Sequence, residues 1–86
     1  MPPYTVIVLK SARDQLVDLH IKNRKPGKWA RIAFADYKIC RALEKNPQGG
    51  QPVGGSHLLS VVVRPLQATY EIVGQEVTIL RYDEMP

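Results

Sequence analysis

The chain is 86 residues long and 44% hydrophobic, with a formal charge of +4 at pH 7 and one cysteine. At this length folding removes only roughly 60 to 65% of the unfolded surface, so one thin-cored domain over residues 1–86 is expected, and its stability would gain from a partner. No run approaches the ~20 apolar residues of a membrane span, no apolar signal core follows a basic start, and Cys40 has no disulfide partner, which points to a cytoplasmic protein that makes no use of a membrane.

Tyr4 to Lys10 is rich in β-branched residues and reads as an edge or near-edge strand, with Pro2 and Pro3 barring an earlier start. Ser11 is placed to cap a following helix, Asp14 puts a carboxylate near its positive end, and Ala12, Leu16, Leu19 and Ile21 form its apolar stripe. Asn23 to Gly27 ends that helix. A longer one is expected over 28–46, stopped by Pro47 and the Gly49-Gly50 pair. On its wheel Trp29, Ile32, Ala33, Ile39, Cys40 and Leu43 share one face, which should cover a sheet, while Arg31, Lys38, Arg41 and Lys45 lie on the other. Cys40 then reads as a small core residue, since no second cysteine or nearby histidine offers it a metal. Asp36 falls inside the apolar stripe, where an unpaired carboxylate is costly, so it is expected to form a structural ion pair with Arg64 or Arg81.

Positive charge is concentrated in this helical half. Residues 1–47 hold ten Lys/Arg against four Asp/Glu, a formal +6, whereas residues 48–86 hold two against four, a formal −2. Lys22, Arg24, Lys25, Lys28 and Arg31 follow one another with no acid between Asp18 and Asp36. Such a stretch suits RNA or an acidic protein partner, and it also suits a solvated loop and helix face.

Gln48 to Ser56 contains four glycines and a proline and reads as a flexible surface loop. Leu58 to Tyr82 then holds three β-branched and aromatic runs broken only at Arg64-Pro65 and Gly74-Gln75, the pattern of an antiparallel meander. Gly74 supplies the positive φ of a tight hairpin, and Pro65, lacking a donor, belongs at a strand end or a bulge. Alternation puts Gln67, Thr69 and Glu71 on one face and Ala68, Tyr70 and Ile72 on the other, with Tyr70 in the core. The same alternation turns Arg81 inward with Val77 and Ile79, toward Asp36, and turns Thr78 and Tyr82 outward. The fold class is therefore α+β: one N-terminal strand, two helices, then a three-stranded antiparallel meander, with the helices packed on one face of the sheet.

Several phrases in this order carry a family likeness. They are Tyr4-Thr5-Val6-Ile7-Val8 leading to Ala12 and Leu16, the run from Ile39 to Pro47 with Gly49-Gly50, the run from Val63 to Ile72, and Val77-Thr78-Ile79-Leu80. With these phrases, which cover most of its length, the chain resembles the RelE/ParE superfamily of bacterial type II toxin-antitoxin toxins. The resemblance implies a toxin neutralised by an antitoxin segment that wraps its surface.

The RelE branch implies a ribosome-associated mRNA endonuclease, in which the ribose 2′-hydroxyl attacks the phosphodiester with help from a base, an acid and cations. For that chemistry the chain offers His57, Arg64, Arg81 and Tyr82 as catalytic candidates. His57 is the candidate general base of that set, while Gln67 stands where a cationic Arg is common in that branch. The ParE branch implies an inhibitor of DNA gyrase, which requires a binding surface and no catalytic set. A third reading is a module that binds its antitoxin and has lost toxicity. All three imply an antitoxin partner and none needs a cofactor or metal. The target is the ribosome and its mRNA, or gyrase, and a homodimer is a further option.

Overall fold

The computed structural model describes residues 4–85, so the role expected of Pro2 and Pro3 lies outside the described residues. In chain order the elements are β1 (Thr5–Val8), α1 (Lys10–Lys22), α2 (Pro26–Lys45), a 3-10 turn (Pro47–Gly49), β2 (Gln51–Pro52), β3 (Leu59–Val63), β4 (Leu66–Val73) and β5 (Glu76–Glu84). They build one sheet of order β1-β5-β4-β3-β2, in which β1 runs parallel to β5 and the other pairs are antiparallel. A parallel pair needs a long crossover. The helical hairpin supplies it, carrying the chain over one face before the meander returns it beside β1.

The meander forms as expected. β4 and β5 are joined through Gly74, whose φ of +61° only glycine adopts cheaply, and Val73 pairs with Glu76 across the turn. Arg64 and Pro65 make the turn between β3 and β4, joined by a cis peptide bond. The glycine-rich segment departs from the expected flexible loop, because Gln51 and Pro52 pair with Ser60 and Leu59 and add a fifth strand. Pro52 is tolerated there because an edge strand leaves one side of its ladder unbonded. A Cβ on Gly50 would collide with the Tyr70 hydroxyl, and that hydroxyl donates to the Pro47 carbonyl, so the segment is pinned to the core by a tyrosine from β4.

The first helix starts one residue before Ser11, and no side chain caps it. The Leu9 N–H donates to the Ile79 carbonyl as β1 ends, while the Leu9 carbonyl accepts from Arg13 and closes the first helical turn. The sheet edge therefore does the work expected of a serine cap. α2 begins at Pro26, whose missing N–H costs nothing in a first turn.

α1 lies against β5 and α2 crosses β3, β4 and β1. Ala12 and Leu19 of α1, with Ile32, Ala35, Ile39 and Leu43 of α2, are buried against Leu66, Ala68 and Tyr70 of β4 and Val77, Ile79 and Tyr82 of β5. Each large apolar side chain sealed in this way contributes about 1.5–3 kcal/mol. Ala33 is exposed and Ala35 takes the inward position, while Ile21 stays on the surface.

One irregularity in β5 decides which side chains reach this core. Tyr70 faces Ile79, yet its neighbour Thr69 faces Arg81, so Leu80 is an extra residue and the strand carries a bulge. Alternation is broken there. Val77 and Ile79 point inward, but beyond the bulge Tyr82 is inward and buried while Arg81 is exposed. The expected orientations of Arg81 and Tyr82 are therefore both reversed.

Candidate functional site

The face away from the helices is laid out by strand register. Ser60, Thr69 and Arg81 form one row across β3, β4 and β5, and Val62, Gln67 and Asp83 form the next toward the β3–β4 turn. On the other side of the first row lie Glu71, Thr78 and Ile7. The middle of this surface is polar and mostly uncharged, with Ser60 and Thr69 screened by their cross-strand neighbours.

The four catalytic candidates are not brought together. His57 precedes β3 and is exposed, with its Nε2 3.0 Å from the Glu71 carboxylate. Arg81 is held 2.8 Å from Asp83 on the same strand, and that hydrogen bond raises its pKa further above its ordinary value. Arg64 lies at the opposite end of β3 from His57, and five residues at about 3.3 Å each separate the two by on the order of 15 Å or more. Tyr82 lies under the helices, its hydroxyl donating to Asp36 Oδ1 at 2.7 Å. Burial, then the hydrogen bond to Asp36, push the Tyr82 phenol far above its usual range, so it stays protonated.

Asp36 thus has a different partner from either arginine expected of it. Its carboxylate accepts from the Tyr82 phenol, and the Cys40 thiol sits 3.9 Å from the same oxygen. The bulge at Leu80 is the physical reason, because it trades a cation for a phenol at the inward position. Burial, then the nearby Asp36 charge, push the Cys40 thiol up to about 11. Gln15 completes the cluster, its Oε1 accepting from the Tyr82 N–H where β1 has ended and β5 lacks a ladder partner on that side.

Of the basic stretch, Lys22, Arg24 and Lys25 are exposed around the connection between the helices. Lys28 and Arg31 line a cavity of about 310 Å³ together with Arg64, Asn23 and Glu84. The structure therefore brings Arg64 to the basic stretch and not to His57. Among the described residues no group of His, Cys, Asp or Glu could hold a metal ion, and no helix is long and apolar enough to cross a membrane.

A second surface went unread in the sequence. Leu16, Val17 and His20 of α1 and Trp29 and Ala33 of α2 wall a groove of about 250 Å³ between the helices, with Arg13 and Asp36 among its lining residues. His20 stacks on Trp29 with ring centroids 4.2 Å apart. The available signal was Val17, an apolar residue beside the α1 stripe that the core does not use.

The whole backbone can be compared with solved structures. It is similar to a structure of the chromosomal ParDE TA system from P. aeruginosa, with a TM-score of 0.76, 19% identity and both chains covered in full. It is also similar to a chain of the toxin-antitoxin complex RelBE2 from Mycobacterium tuberculosis, with a TM-score of 0.70 and 25% identity over 95% of this chain and 98% of that one. No protein-family model and no curated protein sequence matches the chain. A helical hairpin on one face of a mixed five-stranded sheet defines the α+β class. Within that class, this is a RelE/ParE-like toxin fold.

Proposed function

We propose that the chain is the toxin of a toxin-antitoxin pair and that it acts by gripping its target, in the manner of ParE-like inhibition of DNA gyrase, with no cleavage of RNA. The fold supports the toxin role, since both neighbours come from toxin-antitoxin systems. The mode of action rests on the state of the candidate catalytic groups. A 2′-hydroxyl attack needs a base and cations converging on one phosphate. Here His57 and Arg81 each lie against a carboxylate, Arg64 lies at the far end of β3, and Tyr82 is buried as a hydrogen-bond donor to Asp36.

The antitoxin is read as an acidic amphipathic segment seated between α1 and α2. The groove offers apolar walls in Leu16, Val17, Trp29 and Ala33, and the surrounding helices carry most of the molecule's positive charge.

Purified chain added separately to a gyrase supercoiling reaction and to translating ribosomes tests the mode of action. The expected outcome is loss of supercoiling with the mRNA left whole. Defined cuts in the mRNA that disappear in Arg81→Ala or His57→Ala would instead assign the endonuclease reading.

A further inference from the structure

The outer side of α2 carries a surface that neither the sheet nor the groove uses. At ~100° per residue, Arg31, Phe34, Tyr37, Lys38, Arg41 and Lys45 fall within about a third of the helix circumference. The middle of that third lies roughly opposite the core-facing Ile32, Ile39 and Leu43; at its edges Tyr37 stands one turn from Ala33 of the groove, and Arg31 also lines the cavity it shares with Arg64. All six residues are exposed and they span 15 positions, a rise of about 21 Å along the helix. Asp36 is directed inward to Tyr82, so it does not neutralise the stripe.

Two features separate this stripe from an ordinary solvated face. Phe34 and Tyr37 are 59% and 60% exposed, an unusual way to spend two aromatic rings on the surface of a small domain. Their rings lie within 26° of parallel with centroids 6.5 Å apart, and the Lys38 ammonium rests 5.0 Å from the Phe34 centroid. An exposed cation–π contact of this kind is weak and is readily exchanged for a phosphate. Flat rings interleaved with cations along a convex ridge match what a single polynucleotide strand presents, a π-face on every base beside a charged backbone. An acidic protein helix needs an apolar trough, and the trough of this molecule lies on another side of α2.

We propose that this face binds single-stranded nucleic acid, with phosphates at Arg31, Lys38, Arg41 and Lys45 and bases stacked on Phe34 and Tyr37. The inference is independent of the toxin reading, since no part of it uses a target or an antitoxin.

Fluorescence anisotropy of the purified full chain tests it, using a labelled mixed-sequence RNA of about 12 nucleotides, the same sequence as DNA, both duplexes, and polyglutamate as a competitor. Single strands should bind more tightly than duplexes and resist polyglutamate, and the RNA and DNA arms show which strand is preferred. Four phosphate contacts imply a log–log salt slope of about −2.8, of which the Lys38→Ala, Arg41→Ala double variant should remove about 1.4. Phe34→Ala should weaken binding about tenfold and Phe34→Trp should restore it, with the thermal melt unchanged because the side chain is exposed. The proposal is overturned if neither strand binds, if Phe34→Ala binds as well as the parent, or if duplex or polyglutamate competes as well as a single strand.

Discussion

Asp36, Tyr82 and Cys40 form the cluster where the chemistry of single side chains matters most. The carboxylate is half-buried and is satisfied by a neutral phenol, so the cost of disturbing it is that of a hydrogen bond and not of a stranded ion. Tyr82→Phe is expected to lower stability by about 1–2 kcal/mol, and Asp36→Ala by a similar amount, below the 3–5 kcal/mol typical of a broken buried ion pair. Because the two groups share one interaction, urea titrations of the single and double variants should be clearly non-additive. Cys40 offers a test through pH. Burial raises its folded pKa from 9.0 to about 11, so the unfolded chain loses its proton first and stability should fall as pH rises from 9 toward 11, with no contribution from this group below that window. Alkylation at pH 8 should accordingly run well below the rate of a free cysteine. The sequence places Asp36 in the apolar stripe but points to Arg64 or Arg81 where the structure has Tyr82. That choice depends on a register shift 44 residues further along, at Leu80.

Among the elements, β5 is the one that sequence alternation misreads. Strict period-two reasoning sends Arg81 inward, and one extra residue at Leu80 sends Tyr82 there instead. The consequence is a sharp contrast between neighbours. Arg81→Ala should change stability little, because its pair with Asp83 is exposed, whereas Tyr82→Ala should cost about 3–5 kcal/mol by opening a cavity under both helices. Equal costs in thermal or urea melts would mean that the bulge is misplaced. The other elements were more legible where local chemistry decides them: Gly74 in a two-residue turn, Pro65 between strands, and Pro47 after a long amphipathic helix. β2 was not legible, because two residues in a glycine-rich segment become a strand only through Ser60 and Leu59 beside them. The start of α1 was missed for a similar reason, since Ile79 on the distant β5 fixes Leu9 before Ser11 can act.

Over the whole molecule, a sheet roofed on one side leaves two kinds of surface, a polar strand face and a basic helical hairpin. The class of fold was readable because the order of apolar runs and breakers survives small shifts of boundary. The candidate site was not, because catalytic groups are defined by convergence in space. His57 and Arg64 are seven positions apart in sequence yet stand at opposite ends of β3, while Arg64 joins Lys28 and Arg31 from the other half of the chain. The proposed gripping mode of action rests on that distribution. Inducing the chain alone in growing bacteria, while following both culture density and the integrity of cellular mRNA, tests this most directly. The expected result is arrested growth with transcripts left whole; uninterrupted growth, or transcripts cut at defined positions, would contradict it.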